Sequence, residues 1–290
     1  MNMSTIKHFL NLWTISQYPH GSPRDEWSPD EKLAAVKAAG FDGFQEQAEP
    51  WLTSDLAGRH ALDFLGMLST NETNYATGLK KFVPLNPLRI NVQLCDHDTD
   101  PAMAARAWID LEKAAADLGL EVDLEVHRDT CTETPEKTYR IAELYAQQTG
   151  RLLRLNFDLS HFAVVKHLSP PYAPRLLDHP ELIQCSRQMH LRPFNGHHCQ
   201  IPVTDGQRNI AAVAQPWLEF VEAAFTYWLE GNPEGETLWV CPELGGLTSG
   251  YWIAPFPDPW QDAQVARREF EHLWQKVRQN RPPLAVQRSS

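Results

Sequence analysis

The alternation of short apolar runs with longer amphipathic stretches constrains this chain more than any other feature. Eight runs have strand length: "HFLNLWTI" (8–15), "FDGFQE" (41–46), "LDFLGML" (62–68), "RINVQL" (89–94), "VDLEVH" (122–127), "LRLNFDL" (153–159), "SRQMHL" (186–191) and "TLWVCPE" (237–243). Segments of helical period lie between them. The stretch 28–40 opens on Ser28 and Pro29, carries early acids and closes on Gly40, which is the start and stop chemistry of a helix. Stretches 101–119 and 134–150 repeat that pattern, and 211–231 and 262–279 are also helical in period. Pro216 is expected to kink or restart the helix over 211–231.

Eight strands alternating with helices in 290 residues point to the α/β class and a single (β/α)8 TIM barrel. The barrel is expected over 1–281, with a C-terminal tail over 282–290. The competing architecture is an open doubly wound sheet. When it binds nucleotides, that sheet carries a Gly-rich turn after its first strand. Here the turn reads "SQYPHGSP", and no P-loop occurs elsewhere.

A formal net charge of −11 repels phosphate backbones and argues against nucleic acid as a partner. No run of about 18 apolar residues is present, so no membrane span is expected. The first residues lack a basic region followed by a long apolar run, so no secretory leader is expected either. The cysteines (Cys95, Cys131, Cys185, Cys199, Cys241) are odd in number, scattered and free of C-x-x-C spacing. They read as reduced thiols of a cytoplasmic protein rather than a disulfide framework or a zinc ribbon.

Several strands end in polar residues where a core strand should not. In a barrel, side chains alternate between the lumen and the helix layer. In "VDLEVH", Val122, Leu124 and Val126 suit the helix layer, which turns Asp123, Glu125 and His127 inward. In "LRLNFDL", Asn156 and Asp158 turn inward, and in "SRQMHLR" so do Gln188, His190 and Arg192. In "WVCPEL", Trp239, Cys241 and Glu243 share one phase. One inward set therefore holds Glu125, Asp158, His190 and Glu243, each near the C-terminal end of its strand, at the rim where such barrels place chemistry. Three carboxylates cannot all stay ionised together without a counter-charge. One divalent metal ion resolves the conflict, and three oxygen donors with one nitrogen suit Mn²⁺, Mg²⁺ or Co²⁺, with Zn²⁺ also admitted. His161, three residues past Asp158, is then placed for substrate. Taken singly, Asp158 or Ser160 reads as a helix cap and each His as a hydrogen-bonded residue; it is their joint phase that points to a site.

The segments "AAVKAAGFDGFQE" (34–46), "LEVHRDTCTETPEKT" (124–138), "NFDLSH" (156–161), "MHLR" (189–192) and "CPELGG" (241–246) span nearly the whole chain. In this order the chain resembles the xylose-isomerase-like TIM barrels, in particular their sugar isomerase and epimerase branch. The resemblance implies that Glu125, Asp158, His190 and Glu243 bind one metal ion and that His161 and Arg192 touch substrate oxygens. His127 is assigned to the substrate with them. Two departures stand out. The second strand ends Gly43-Phe44-Gln45, where that family often has Gly-(apolar)-Glu, so Glu46 is one step out of phase. The loop "RPFNGHHCQIP" adds His197 and His198, which read as solvated loop residues, with "HHC" as lid-forming in the alternative.

The expected activity is that of a metal-dependent isomerase or epimerase acting on a keto sugar or related polyol through an enediolate. The metal acidifies the C–H between a carbonyl and a hydroxyl. Glu125 or Glu243 removes the proton, and the other returns it. A lyase or dehydratase using the same site on a keto sugar or keto-inositol is the alternative. Arg192 and His161 steady the developing charge, while Trp13 and Phe194 are candidate walls for a sugar face. Arg128 and Arg192 could meet an anionic end, but the absence of a phosphate cradle favours a neutral sugar. The oligomeric state is left open, a homo-oligomer included.

Overall fold

A computed structural model describes residues 3–280. The tail expected over 282–290 lies outside the described residues. Eight parallel strands close into a barrel in chain order: β1 (Thr5–Asn11), β2 (Gly43–Glu46), β3 (Asp63–Thr70), β4 (Arg89–Leu94), β5 (Val122–Glu125), β6 (Leu155–Phe157), β7 (Gln188–His190) and β8 (Thr237–Cys241). β8 returns to pair with β1. Each of the eight apolar runs contributes a strand, and the fold is the expected (β/α)8 barrel.

The ends of the runs differ from the sequence reading, most clearly in the first. Only its first half is strand, and Leu12–Ile15 forms a 3₁₀ turn. The Asn11 side chain accepts the Trp13 N–H at 3.2 Å, an Asx-type bond that draws the chain out of its extended course. Trp13 thus belongs to the rim rather than to a strand. The strands on the site side are short, with three residues each in β6 and β7, so Asp158, Arg192 and Glu243 stand on the loops just beyond them.

The helices are α1 (Pro29–Ala38), α2 (Ser54–Arg59), α3 (Tyr75–Lys80), α4 (Pro101–Asp117), α5 (Pro135–Thr149), α6 (Ser160–Val165), α7 (Ala173–Leu176), α8 (Pro180–Cys185), α9 (Gln215–Gly231) and α10 (Pro259–Gln279). Ser28 and Glu31 form a capping box on α1, while Asp100, Thr134 and Asp258 cap α4, α5 and α10. Pro216 restarts rather than kinks: a 3₁₀ turn over Ala212–Ala214 precedes α9, and the proline sits in its first turn. The short helices α2, α3, α6, α7 and α8 escaped the sequence reading because four to six residues are too few to display a helical period.

The lumen is packed in tiers. Near its floor Arg89 pairs with Asp123, whose Oδ2 also accepts from Gln188 Nε2 at 2.7 Å. Phe9, Leu65 and Cys241 form a separate apolar plug, with Trp239 against it. Gly43 is needed here, because a Cβ at that position would lie 2.2 Å from the Phe9 ring. The polar tier of the site rests above the plug. The larger core fills the space between barrel and helices, with Trp108, Trp217, Trp228 and Trp274 fully buried.

Candidate active site

The four residues singled out from strand phase come together at the C-terminal rim. Glu125, Asp158, His190 and Glu243 each offer a ligand atom, and these atoms lie within 4.8 Å of one another. None is more than 3% exposed. His190 Nδ1 stands 2.9 Å from Glu125 Oε1 and 2.7 Å from Glu243 Oε2. Arg192 spans the other side of the cluster, with Nε 3.0 Å from Asp158 Oδ2 and Nη2 2.9 Å from Glu243 Oε2.

Local structure holds each of these groups in place. Asn91 Nδ2 donates to Glu125 Oε2 at 2.7 Å, and Asn156 Nδ2 donates to Asn91 Oδ1 at 2.8 Å, so a ladder of lumen amides orients Glu125. Asp158 uses Oδ1 to accept from Ser160 N and Oγ at the start of α6, which leaves Oδ2 for the cluster. Its bonds to Ser160 and its place in the site thus coexist on one carboxylate. Glu243 has a φ of 42°, in the left-handed region that side chains disfavour. The loop around it is clamped: Gly245 N donates to Gln200 Oε1 at 2.6 Å, Gln200 Nε2 donates back to Gly245 O at 3.3 Å, and Thr14 Oγ1 donates to Leu244 O at 2.5 Å.

The electrostatics follow from burial competing with neighbouring charge. Burial pushes the Glu125 carboxyl up, but His190, His127 and the Asn91 hydrogen bond together hold it down at about 2. Burial also opposes ionisation of Asp158, yet His161, Arg192 and Ser160 bring it well below the usual carboxylate range. Glu243 remains raised, because burial outweighs the help it receives from His190 and Arg192. Burial disfavours the charged form of His190, but Glu243 and Glu125 lift it to about 10. His127 is lowered by burial.

The donor set fits a divalent cation. A ligating imidazole must be neutral. With His190 neutral, Arg192 offsets one of the three carboxylate charges through its contacts with Asp158 and Glu243, so a net negative charge stays in a site shielded from water. Three hard oxygens and one nitrogen then match an ion of charge two.

Around the cluster, His161 Nε2 lies 3.3 Å from Asp158 Oδ2, and its ring meets the His127 ring edge-on at 4.5 Å. His127 Nδ1 is 2.6 Å from the Arg128 carbonyl, so that nitrogen carries the proton. Trp13 faces the site, with the Arg192 guanidinium 5.5 Å from its ring and 4.8 Å from the ring of Tyr251. Arg128 stacks on the same Tyr251 ring at 4.9 Å. Phe194 does not form a wall: it is buried among Tyr172 and Phe220, on the helix side of the barrel. Glu46 is likewise apart from the cluster and accepts from the Gln47 N–H. His197 and His198 are exposed, while Cys199 reaches inward to 3.8 Å from His161 Nδ1.

Sequence reasoning missed Asn91, Gln200 and Tyr251. Asn91 was findable, since it alternates with the outward Ile90 and Val92 just as Glu125 alternates with its neighbours. Gln200 and Tyr251 lie on loops, where no period announces a direction.

The closed (β/α)8 barrel is a fold shared with solved xylose isomerase-like TIM barrel proteins, the group that the motifs resemble. Among solved structures the chain is similar to an L-ribulose 3-epimerase, with a TM-score of 0.63 and 14% identity over 99% of this chain and 100% of the other. It is also similar to a D-allulose 3-epimerase from Methylomonas sp., with a TM-score of 0.59 and 15% identity over 94% of this chain and 100% of the other. A xylose isomerase-like TIM barrel protein from Mycobacterium smegmatis, in complex with magnesium, matches with a TM-score of 0.56 and 13% identity, covering 96% and 97% of the two chains. No protein-family model and no curated protein sequence matches the chain.

Proposed function

We propose that this protein is a divalent-metal-dependent epimerase or isomerase of keto sugars or related polyols, working through an enediolate. One observation carries the reading: two buried carboxylates, Glu125 from β5 and Glu243 from the loop after β8, flank a single imidazole and share a donor set with Asp158. The structural likeness to ketose 3-epimerases and to a magnesium-bound barrel supports it. A cation held by Glu125, Asp158, His190 and Glu243 would supply Lewis acidity to a substrate carbonyl, and Mn²⁺, Mg²⁺ or Co²⁺ suits the donors.

The chain's own residues supply the remaining chemistry. One of Glu125 and Glu243 takes the proton from the carbon beside the carbonyl, and the other delivers one from the opposite face, which yields an epimer. Delivery to the adjacent carbon yields an aldose–ketose exchange. Arg192 stays protonated because burial, which disfavours its charge, is outweighed by Glu243 and Asp158, so it presents a fixed positive charge to the enediolate. His127, with its proton on Nδ1, offers Nε2 as an acceptor for a substrate hydroxyl, and His161 sits beside it. Trp13 and Tyr251 hold Arg192 between them. The five unpaired cysteines support a reducing, cytoplasmic setting.

The test is incubation with Mn²⁺ and a panel of ketoses in D₂O. The expected result is deuterium uptake beside the carbonyl with no other loss of mass. A product lighter by one water would establish the lyase instead. If protein with Mn²⁺ bound exchanges no proton of any ketose, the reading falls.

A further inference from the structure

We propose that Gln45 is a specificity-determining residue that binds a substrate hydroxyl beyond the reacting carbons. The inference rests on the epimerase reading above and deepens it: the substrate is a ketose with a free hydroxyl at C4 or C5. Gln45 closes the lumen face of β2. Gly43, two residues earlier on that face, opens onto the Phe9 ring in the lumen. In register with Gln45 across the ladder is Asn11, whose Nδ2 lies 3.5 Å from Glu243 Oε1. The side chain is thus in the tier of the catalytic carboxylates, one strand beyond Asn11.

Gln45 is 0% exposed, and neither Oε1 nor Nε2 has a hydrogen-bond partner. The neighbouring lumen amides behave differently: Asn91, Asn156 and Gln188 each donate to another side chain. Among the described residues, Gln45 is the lumen amide that makes no side-chain bond at all. A buried amide left in that condition costs about 1–3 kcal/mol by mutational measures, which a leucine or methionine would avoid. The cost is recovered when a hydroxyl, itself both donor and acceptor, arrives at the planar group. The choice of amide over carboxylate also has a reason. A glutamate here would add a fourth negative charge near Glu125, Asp158 and Glu243 and would compete for the cation, whereas the amide offers both hydrogen-bonding roles without charge.

The test uses the Mn²⁺-loaded protein with D-allulose, L-ribulose and the 4-deoxy and 5-deoxy forms of D-allulose, and reads kcat/KM for deuterium uptake at C3. In the wild type, one of the two deoxy sugars should lose about 10- to 100-fold relative to D-allulose, because the site's amide is then left unpaired. Gln45→Met should lower kcat/KM for D-allulose by a similar factor and abolish the penalty for that deoxy sugar. Its Mn²⁺ affinity should stay within about threefold of wild type, and its Tm should be equal or higher, since an unpaired amide gives way to an apolar chain of similar length. A merely structural Gln45 would lower Tm and leave the deoxy penalty in place. The proposal is overturned if Gln45→Met handles D-allulose as the wild type does, or if the deoxy penalty persists in it. Should the variant not fold, the wild type alone decides: equal rates on D-allulose and both deoxy sugars overturn the proposal. If the Mn²⁺-bound wild type exchanges neither parent ketose, it is the epimerase reading that fails, and that outcome is visible before any variant is made.

Discussion

Replacing Arg192 by methionine separates the charge balance of this site from its chemistry. The guanidinium is 1% exposed and lies against Asp158 and Glu243, so Arg192→Met takes the guanidinium charge away from two buried carboxylates while keeping an unbranched apolar stem. Breaking a buried pair of this kind costs about 3–5 kcal/mol. A bound divalent ion provides the missing charge from the other side, so the deficit depends on the metal. Removing a positive charge beside the ion should strengthen Mn²⁺ binding, and a coupling of about 1.4 kcal/mol already corresponds to tenfold. By linkage, the stability deficit should narrow by at least that amount once Mn²⁺ saturates both proteins. Turnover should fall about 10²–10³-fold, as when one fixed donor to a developing oxyanion is lost. Urea unfolding with and without Mn²⁺, calorimetric Mn²⁺ titration and ketose turnover measure the three effects. An equal deficit in both conditions, or a variant that no longer binds Mn²⁺, would refute the assignment of Arg192 as a balancing charge outside the donor set.

Further outcomes are expected elsewhere. Glu125→Gln and Glu243→Gln should each lower turnover at least about 10³-fold while retaining Mn²⁺ at reduced affinity, because an amide oxygen still ligates but accepts no proton from carbon. Near wild-type epimerisation by either variant, followed by chiral chromatography, would rule out two bases. Gln200→Leu should destabilise the protein by roughly 2–4 kcal/mol, since it removes both bonds to Gly245 and leaves a buried N–H unpaired; chemical denaturation checks this, and turnover should fall as Glu243 loses its clamp. Mn²⁺ binding at pH 7.5 should release about one proton, because Glu243 and Glu125 hold His190 protonated up to about 10 and a ligating imidazole cannot keep that proton; titration in buffers of different ionisation enthalpy measures it. Glu46 is raised by burial from 4.5 to about 7, so its cost to the fold is absent below pH 4.5 and grows as pH rises through 7. Glu46→Gln should therefore stabilise the protein by roughly 2–3 kcal/mol at pH 8 and by almost nothing at pH 4.5, read as the difference in Tm between the two conditions.

What the sequence by itself determined follows from local rules. The period-two alternation in "VDLEVH" and "SRQMHL" turned Glu125 and His190 inward before any contact was known, because a strand's faces are set by its own backbone. The capping residues Ser28 and Thr134 marked helix starts for the same reason, while the last helix, expected from 262, begins at Pro259 behind the Asp258 cap. Tertiary structure decided whatever depends on partners distant in the chain. Nothing local announces that Gln200 clamps Gly245, that Tyr251 covers Arg192, or that Phe194 turns toward Phe220 instead of the site. These positions lie on loops whose direction is set by what they pack against. The charge balance is likewise a tertiary fact. The sequence placed three carboxylates at one rim, but only the closed barrel brings His190 between Glu125 and Glu243 and lays Arg192 across Asp158, since each pair joins residues from different strand ends.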